Sequence, residues 1–283
     1  MEGHPAQWLG WVPLFAVPCV ALAGMDWPAW VWMWAMAATI YAGCKWLTWW
    51  EAAGEDGVTM ARSVAYLLAW PGMNAREFLA AKKYERRPAS REWVYAVSKT
   101  LFGAVLLWGV TRWVVNEWAA GWVAWVGMAF VLHFRSFHVL ALAWQRAGVN
   151  AQPLMNAPLL ATSLADFWGK RWNIAFNQLA HHFLFRPLAG QWGRTGGLLA
   201  TFAVSGLIHD LVISVSARGG YGLPTLYFLI QGVGLLFERT KVGRQFRGRT
   251  LTILVTAGPV LCLFHRPFIY QTILPFLTAI HAR

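Results

Sequence analysis

An all-α, polytopic integral membrane protein is the fold class that this sequence predicts, and three observations predict it. The 283-residue chain is 58% hydrophobic and only 13% charged, about half the ~25% charge of a soluble domain. Its mean hydropathy is +0.43. Its 20 tryptophans suit interfacial belts, where an amphipathic ring sits at headgroup level.

In chain order, the apolar stretches 7–24, 28–50, 93–116, 122–145, 195–217, 222–238, 250–265 and 268–281 predict about eight transmembrane helices. The last three are short for a crossing that needs roughly 20 apolar residues. The N-terminal stretch has no basic leader or clear cleavage site and reads as a retained first span. Segment 62–72 is too short to cross and ends in Trp70-Pro71-Gly72-Met73. Those residues stop a helix, so the segment reads as an interfacial or re-entrant element. No soluble stretch is long enough for a second domain, and residues 1–283 read as one membrane-embedded unit.

Loop charge orients the chain. Segments 73–92, 146–194 and 239–249 hold clustered Lys and Arg, among them Lys82, Arg86, Arg186, Arg194, Arg239 and Arg244, whereas the opposite loops carry only Arg218 and Arg266. Basic loops face the cytoplasm, which puts both termini there. The same asymmetry accounts for the net charge of +12 without nucleic acid. Cys19, Cys44 and Cys262 lie far apart in apolar segments and read as small buried hydrophobes, not a disulfide or metal framework.

Two polar sites interrupt the apolar pattern. Ser163-Leu164-Ala165-Asp166 fits a helix N-cap with an acid three residues on, which predicts a helix from Leu164 to about Leu179. On it Asp166, Lys170, Asn173 and Asn177 would share one face, with Trp168 and Trp172 on another. A plain amphipathic helix at the interface has the same pattern. The second site is His209, inside the apolar run Leu198–Ser216. Ionisable groups there are costly and normally line a cavity or pathway. Thr201, Ser205 and His209 repeat every four residues and point one way; a structural histidine bonded across helices is the alternative. Asp210 points about 100° away and reads as a support. His133 and Arg135 read as facing a polar cavity or an interface. The histidines, including His181-His182, lack the repeated spacing of a di-iron site, so no metal is expected.

These residues resemble a known family. Asp166-Phe167-Trp168-Gly169-Lys170-Arg171-Trp172-Asn173, preceded by Pro158-Leu159-Leu160-Ala161-Thr162-Ser163-Leu164, resembles the signature of membrane-bound O-acyltransferases, specifically the wax synthase-like branch. Ser205-Gly206-Leu207-Ile208-His209-Asp210 is similar to that branch's second motif, where an acid, more often Glu, follows the histidine. Trp70-Pro71-Gly72-Met73-Asn74 looks like an early element of the branch.

The resemblance implies a single acyltransferase domain whose helices surround a central tunnel. It implies transfer of a fatty acyl group from acyl-CoA, a co-substrate with no further cofactor, to the hydroxyl of a lipid-soluble acceptor. A long-chain alcohol, giving a wax ester, is the leading acceptor; diacylglycerol, a sterol or a glycan hydroxyl are alternatives. The implied partners are acyl-CoA, the alcohol and membrane lipids. By the same resemblance His209 matches the catalytic histidine and Asn173 its paired asparagine. An apolar site favours the neutral imidazole that a base requires. Asn173 would bond the thioester carbonyl or orient the acceptor. Lys170, Arg171 and Arg186 are candidates for the CoA phosphates from charge and position, and Arg171 has bracing of the Trp172-Asn173 turn as a second role. Trp168, Trp172, Ser205 and Asp166 are candidates for the substrate tunnel, with packing the competing role of the tryptophans. A non-catalytic lipid transporter or scaffold is the alternative function. Two local polar motifs, not spread over symmetric halves, favour the enzyme.

Overall fold

The computed structural model describes residues 7–81, 83–132 and 137–283, and every regular element among them is helical. His133 and Arg135 lie outside the described residues, as do His4 and Lys82. The helices that position the site are α1 (Ala29–Ala52), α2 (Met60–Ala69), α3 (Leu164–Asp166), α4 (Ile174–Ala180), α5 (Arg186–His209), α6 (Leu223–Arg239) and α7 (Lys241–Phe246).

Among the described residues four helical stretches are long and apolar enough to cross a bilayer: Trp8–Asp26, Ser90–Trp113, Glu117–Arg146 and Ile174–Val215. Arg249–Leu263 and Arg266–Ala279 meet at a 62° bend and make a fifth if they act as one span. The expectation of eight regular spans is thus met only in part. Helix α1 has 24 residues, but its tryptophans, Lys45 and Glu51 make it less apolar than the four. Helix α6 has 17 residues, short of the roughly 20 that a crossing needs.

Residues 146–194, expected as one inner loop, require a correction. Helix resumes at Ile174 and continues to Val215, 42 residues in all, with non-helical backbone at Gly193 (φ 71°, ψ 170°). Unbroken, that length would measure about 63 Å, twice a hydrocarbon core. Gly193 supplies the break, because positive φ costs glycine little. Phe176, Leu179, Phe183 and Phe185 give residues 174–192 the apolar character that a loop lacks.

Segment 62–72 forms helix α2, which ends at an extended Trp70. The buried Lys45 of α1 holds the following turn, donating to the Gly72 carbonyl at 2.8 Å. Its ammonium sits 3.0 Å from the centre of the Tyr66 ring, a cation–π contact.

Apolar packing forms two clusters. One gathers Met33, Met128, Ile213, Phe228, Phe268 and Ile269. The other gathers Tyr66, Trp70, Phe78, Leu79, Leu154 and Ala175. The polar segment lies between them, with Trp168 packed on the first and Ala175 buried in the second. Helices α5 and α6 pack side by side. A Cβ at Gly206 would stand 2.6 Å from the Thr225 Cα, so glycine permits this approach, as small residues do between membrane helices.

Candidate active site

Ser163 caps α3 as its sequence predicts, accepting the Asp166 N–H at 3.0 Å. The continuous helix expected to about Leu179 does not form. After α3 the chain widens into a π-helical turn, Phe167–Arg171, and leaves the helix at Trp172. Asn173 is left-handed (φ 42°, ψ 56°), and α4 begins after it. Asparagine is one of the few side chains that tolerate this region. The segment Leu154–Asn156 clamps the break from outside. Ile174 N–H donates to the Leu154 carbonyl and Asn156 N–H to the Arg171 carbonyl, each at 2.9 Å. The break separates Asp166 and Lys170 from Asn177, so the single polar face is not formed. Among the described residues the Asn173 carboxamide makes no hydrogen bond.

Asp166 and Arg171 close this loop on itself. Arg171 Nε lies 2.6 Å from Asp166 Oδ2, and Arg171 Nη1 reaches the Asn156 and Ala157 carbonyls at 3.4 and 3.3 Å. Asp166 also accepts the Thr162 N–H at 3.1 Å. Burial pushes the Asp166 carboxyl up, but the bonds from Arg171 and Thr162 and the charges of Arg171 and Lys170 outweigh it and hold the group below its ordinary range. Such a carboxylate stabilises the fold above the unfolded pKa, about 3.9, and loses that contribution as pH falls through the lower folded value. Thermal unfolding of wild type and Asp166→Asn checks this. Their difference should hold steady from neutral pH to about 4 and shrink below it; a pH-independent difference contradicts a charge-based brace.

The tryptophans connect this loop to His209. Trp172 stacks on Phe167 at 5.5 Å. Trp168 Nε1 donates to Gln231 Oε1 at 3.3 Å, and its ring meets Phe202 at 5.6 Å and Phe228 at 5.9 Å. Phe228 in turn packs on the His209 ring at 4.4 Å. One aromatic path therefore runs from Trp168 through Phe228 to the imidazole.

The stripe on α5 is a chain of bonds to carbonyls one turn back. Thr201 Oγ1 donates to Gly197 and Ser205 Oγ to Thr201. His209 Nδ1 lies 2.7 Å from the Ser205 carbonyl. A carbonyl only accepts, so Nδ1 is the donor here, and in the neutral imidazole the lone pair is then on Nε2. The polar stripe thus selects the tautomer.

Asp210 serves the fold. Its Oδ1 accepts from Ser214 Oγ and the Gly222 N–H, both at 2.8 Å. Its Oδ2 accepts the Thr225 N–H at 3.0 Å and the Thr225 hydroxyl. It thereby ties the end of α5 to the start of α6. His265 extends the network through Ser214 at 3.1 Å.

Two cavities lie near the polar segment. One, about 270 Å³, is lined by Ala165, Leu235, Glu238, Arg239, Arg244 and Arg247. The other, about 30 Å³, lies between Trp70, Asn74, Glu77, Gln152, Ile174 and Gln178. Neither is lined by Asn173 or His209. Lys170 and Arg186 are exposed and line neither cavity.

Three site neighbours escaped the sequence reading. Gln231 is fully buried and anchors Trp168. Glu238, 5% exposed, accepts the Leu164 N–H at 2.8 Å and the Ala165 N–H at 3.4 Å. Arg247 donates to Ser163 Oγ at 3.3 Å. The signal was present for two of them, because polar groups within an apolar run are expected to be functional or paired.

Comparison with known proteins falls on this region. Residues 151–230 match the model of the Membrane bound O-acyl transferase family. Over 95 residues the chain is 38% identical to a probable long-chain-alcohol O-fatty-acyltransferase 9 of Arabidopsis thaliana, covering 30% of this chain and 28% of the relative. A probable long-chain-alcohol O-fatty-acyltransferase 1 from the same plant is 32% identical over 163 residues, 52% of this chain and 46% of the relative. The long-chain-alcohol O-fatty-acyltransferase of Simmondsia chinensis is 33% identical over 127 residues, 40% and 36%. The chain thus spans less than half the length of these relatives.

Proposed function

From the premise that residues 151–230 carry the membrane-bound O-acyltransferase signature, we propose that the protein transfers a fatty acyl group from acyl-CoA to a long-chain alcohol, forming a wax ester. The observation that carries this reading is the 2.7 Å approach of His209 Nδ1 to the Ser205 carbonyl. The Nδ1–H is committed to that carbonyl, the ring is walled by Phe228, and Nε2 remains to accept a proton.

In this mechanism Nε2 of His209 takes the hydroxyl proton as the alcohol oxygen attacks the thioester carbonyl carbon. The tetrahedral oxyanion collapses, the carbon–sulfur bond breaks, and the imidazolium returns the proton to the departing thiolate. Asn173, whose carboxamide is uncommitted, donates to the oxyanion; one such donor is typically worth about 3 kcal/mol. Trp168, Trp172, Ser205 and Asp166 shape the route between motif and imidazole. The domain is integral to the membrane with about eight spans around a tunnel, and with basic loops and both termini cytoplasmic.

Lys170 and Arg186 meet the donor's phosphates, while Arg171 is held by Asp166. A donor contact made equally in ground and transition states changes KM alone. Lys170→Ala and Arg186→Ala should each raise KM for acyl-CoA several-fold and leave kcat intact; an unchanged KM in both assigns these charges to topology. The activity itself is tested with purified protein, labelled acyl-CoA and a panel of hydroxyl acceptors. Long-chain alcohols should give the fastest ester formation, and preference for diacylglycerol, a sterol or a glycan would overturn the acceptor.

A further inference from the structure

Positive-inside topology explains why segment 239–249 is basic, but not why three of its arginines surround one cavity. Arg239, Arg244 and Arg247 line a space of about 270 Å³ against Ala165, directly beside the polar segment. Among the described residues no carboxylate forms an ion pair with any of the three. The one acid in the wall, Glu238, is turned to the Leu164 and Ala165 N–H groups. Three exposed arginines thus stand around a cavity whose one acid is already committed; Arg244 also donates to the Arg239 carbonyl at 3.4 Å, and guanidinium matches phosphate in bidentate geometry. The cavity holds several water volumes of ~30 Å³ each, enough for a diphosphate.

Distance argues for which phosphate. Helix α6 carries Phe228, against His209, and Arg239, at the cavity. These positions are about 16 Å apart along the axis at 1.5 Å per residue. The arm of a coenzyme A thioester has about thirteen bonds from sulfur to the first phosphorus and contains two amides. At roughly 3.5 Å per three bonds of extended amide chain it reaches about 15 Å. An extended donor with its thioester at His209 is thus long enough to put its diphosphate at the level of Arg239 along α6.

We propose that Arg239, Arg244 and Arg247 hold the donor's diphosphate, alongside the contacts of Lys170 and Arg186 with the donor. This rests on the acyl-CoA reading above and adds residues that neither polar motif contains. The same chemistry would take a phospholipid headgroup, and the test separates the two. Full-length protein in phosphatidylcholine nanodiscs is titrated with coenzyme A, and Arg239→Gln/Arg244→Gln is compared with wild type. Both side chains are exposed, and Arg247 is kept because it also bonds Ser163. Affinity should fall about ten-fold or more and lose much of its salt dependence. Unchanged coenzyme A affinity overturns the site. Adding phosphatidylglycerol is the second arm: loss of its enrichment around the variant, with coenzyme A affinity intact, assigns the cavity to headgroups and overturns the donor. A variant that binds coenzyme A weakly, from a wild type that transfers no acyl group, keeps the site and refutes the proposed function. Acyl transfer by a variant with wild-type affinity does the reverse.

Discussion

Replacing His209 by Ala should lower ester formation by roughly 100- to 10,000-fold, the usual loss on removing a general base. The fold should survive. Among the described residues the imidazole makes one hydrogen bond, to a carbonyl of its own helix, and one ring contact, with Phe228. Neither ties α5 to a distant element by a polar bond. The check is turnover measured beside thermal unfolding of the same detergent-purified variant. Near-normal turnover in a well-folded His209→Ala protein would sink the mechanism, whereas loss of folding with loss of turnover would show that the histidine is structural.

Asp210→Ala should do the opposite, striking stability first. One carboxylate accepts from Ser214, the Gly222 N–H, and both the N–H and hydroxyl of Thr225. Leaving a buried donor unsatisfied costs about 1–3 kcal/mol. Gly222 is exposed and recovers a water, so the net loss should be about 3 kcal/mol. Turnover should fall with it, because the helix that Asp210 anchors carries Phe228 against His209. Thermal unfolding checks the first effect and ester formation the second. A variant of unchanged stability would show that other contacts hold the α5–α6 junction.

The sequence was legible where a pattern is local. The Ser163 cap appears as read, the four-residue stripe from Thr201 to His209 is continuous, and Asp210 is a support as its 100° offset implied. It was less legible where distant chain decides the outcome. The Asn173 break depends on pairing with Leu154 and Asn156, and helical periodicity carries no trace of such partners. The charge of Arg171 suggested a ligand for phosphate, but Asp166 five residues away takes it. Beyond Leu179 the segment up to Arg194 was placed in an inner loop by its basic residues, and the apolar Phe183 and Phe185 went unweighed. Toward the C-terminus a 62° bend joins two short helices, and hydropathy alone does not show whether such a pair makes one crossing or two. Arg239, Arg244 and Arg247 read as orienting charge, and only their grouping around one cavity suggests more.

The central claim, acyl transfer by His209, is tested most directly by a balance of products. Purified protein in neutral vesicles is given labelled acyl-CoA and a long-chain alcohol, and ester and free thiol are counted together. One wax ester should form for each thiol released, and both should vanish in His209→Ala. Thiol release without ester would make the protein a thioesterase, and ester formation that persists in His209→Ala would remove the histidine from the chemistry; either result contradicts the account.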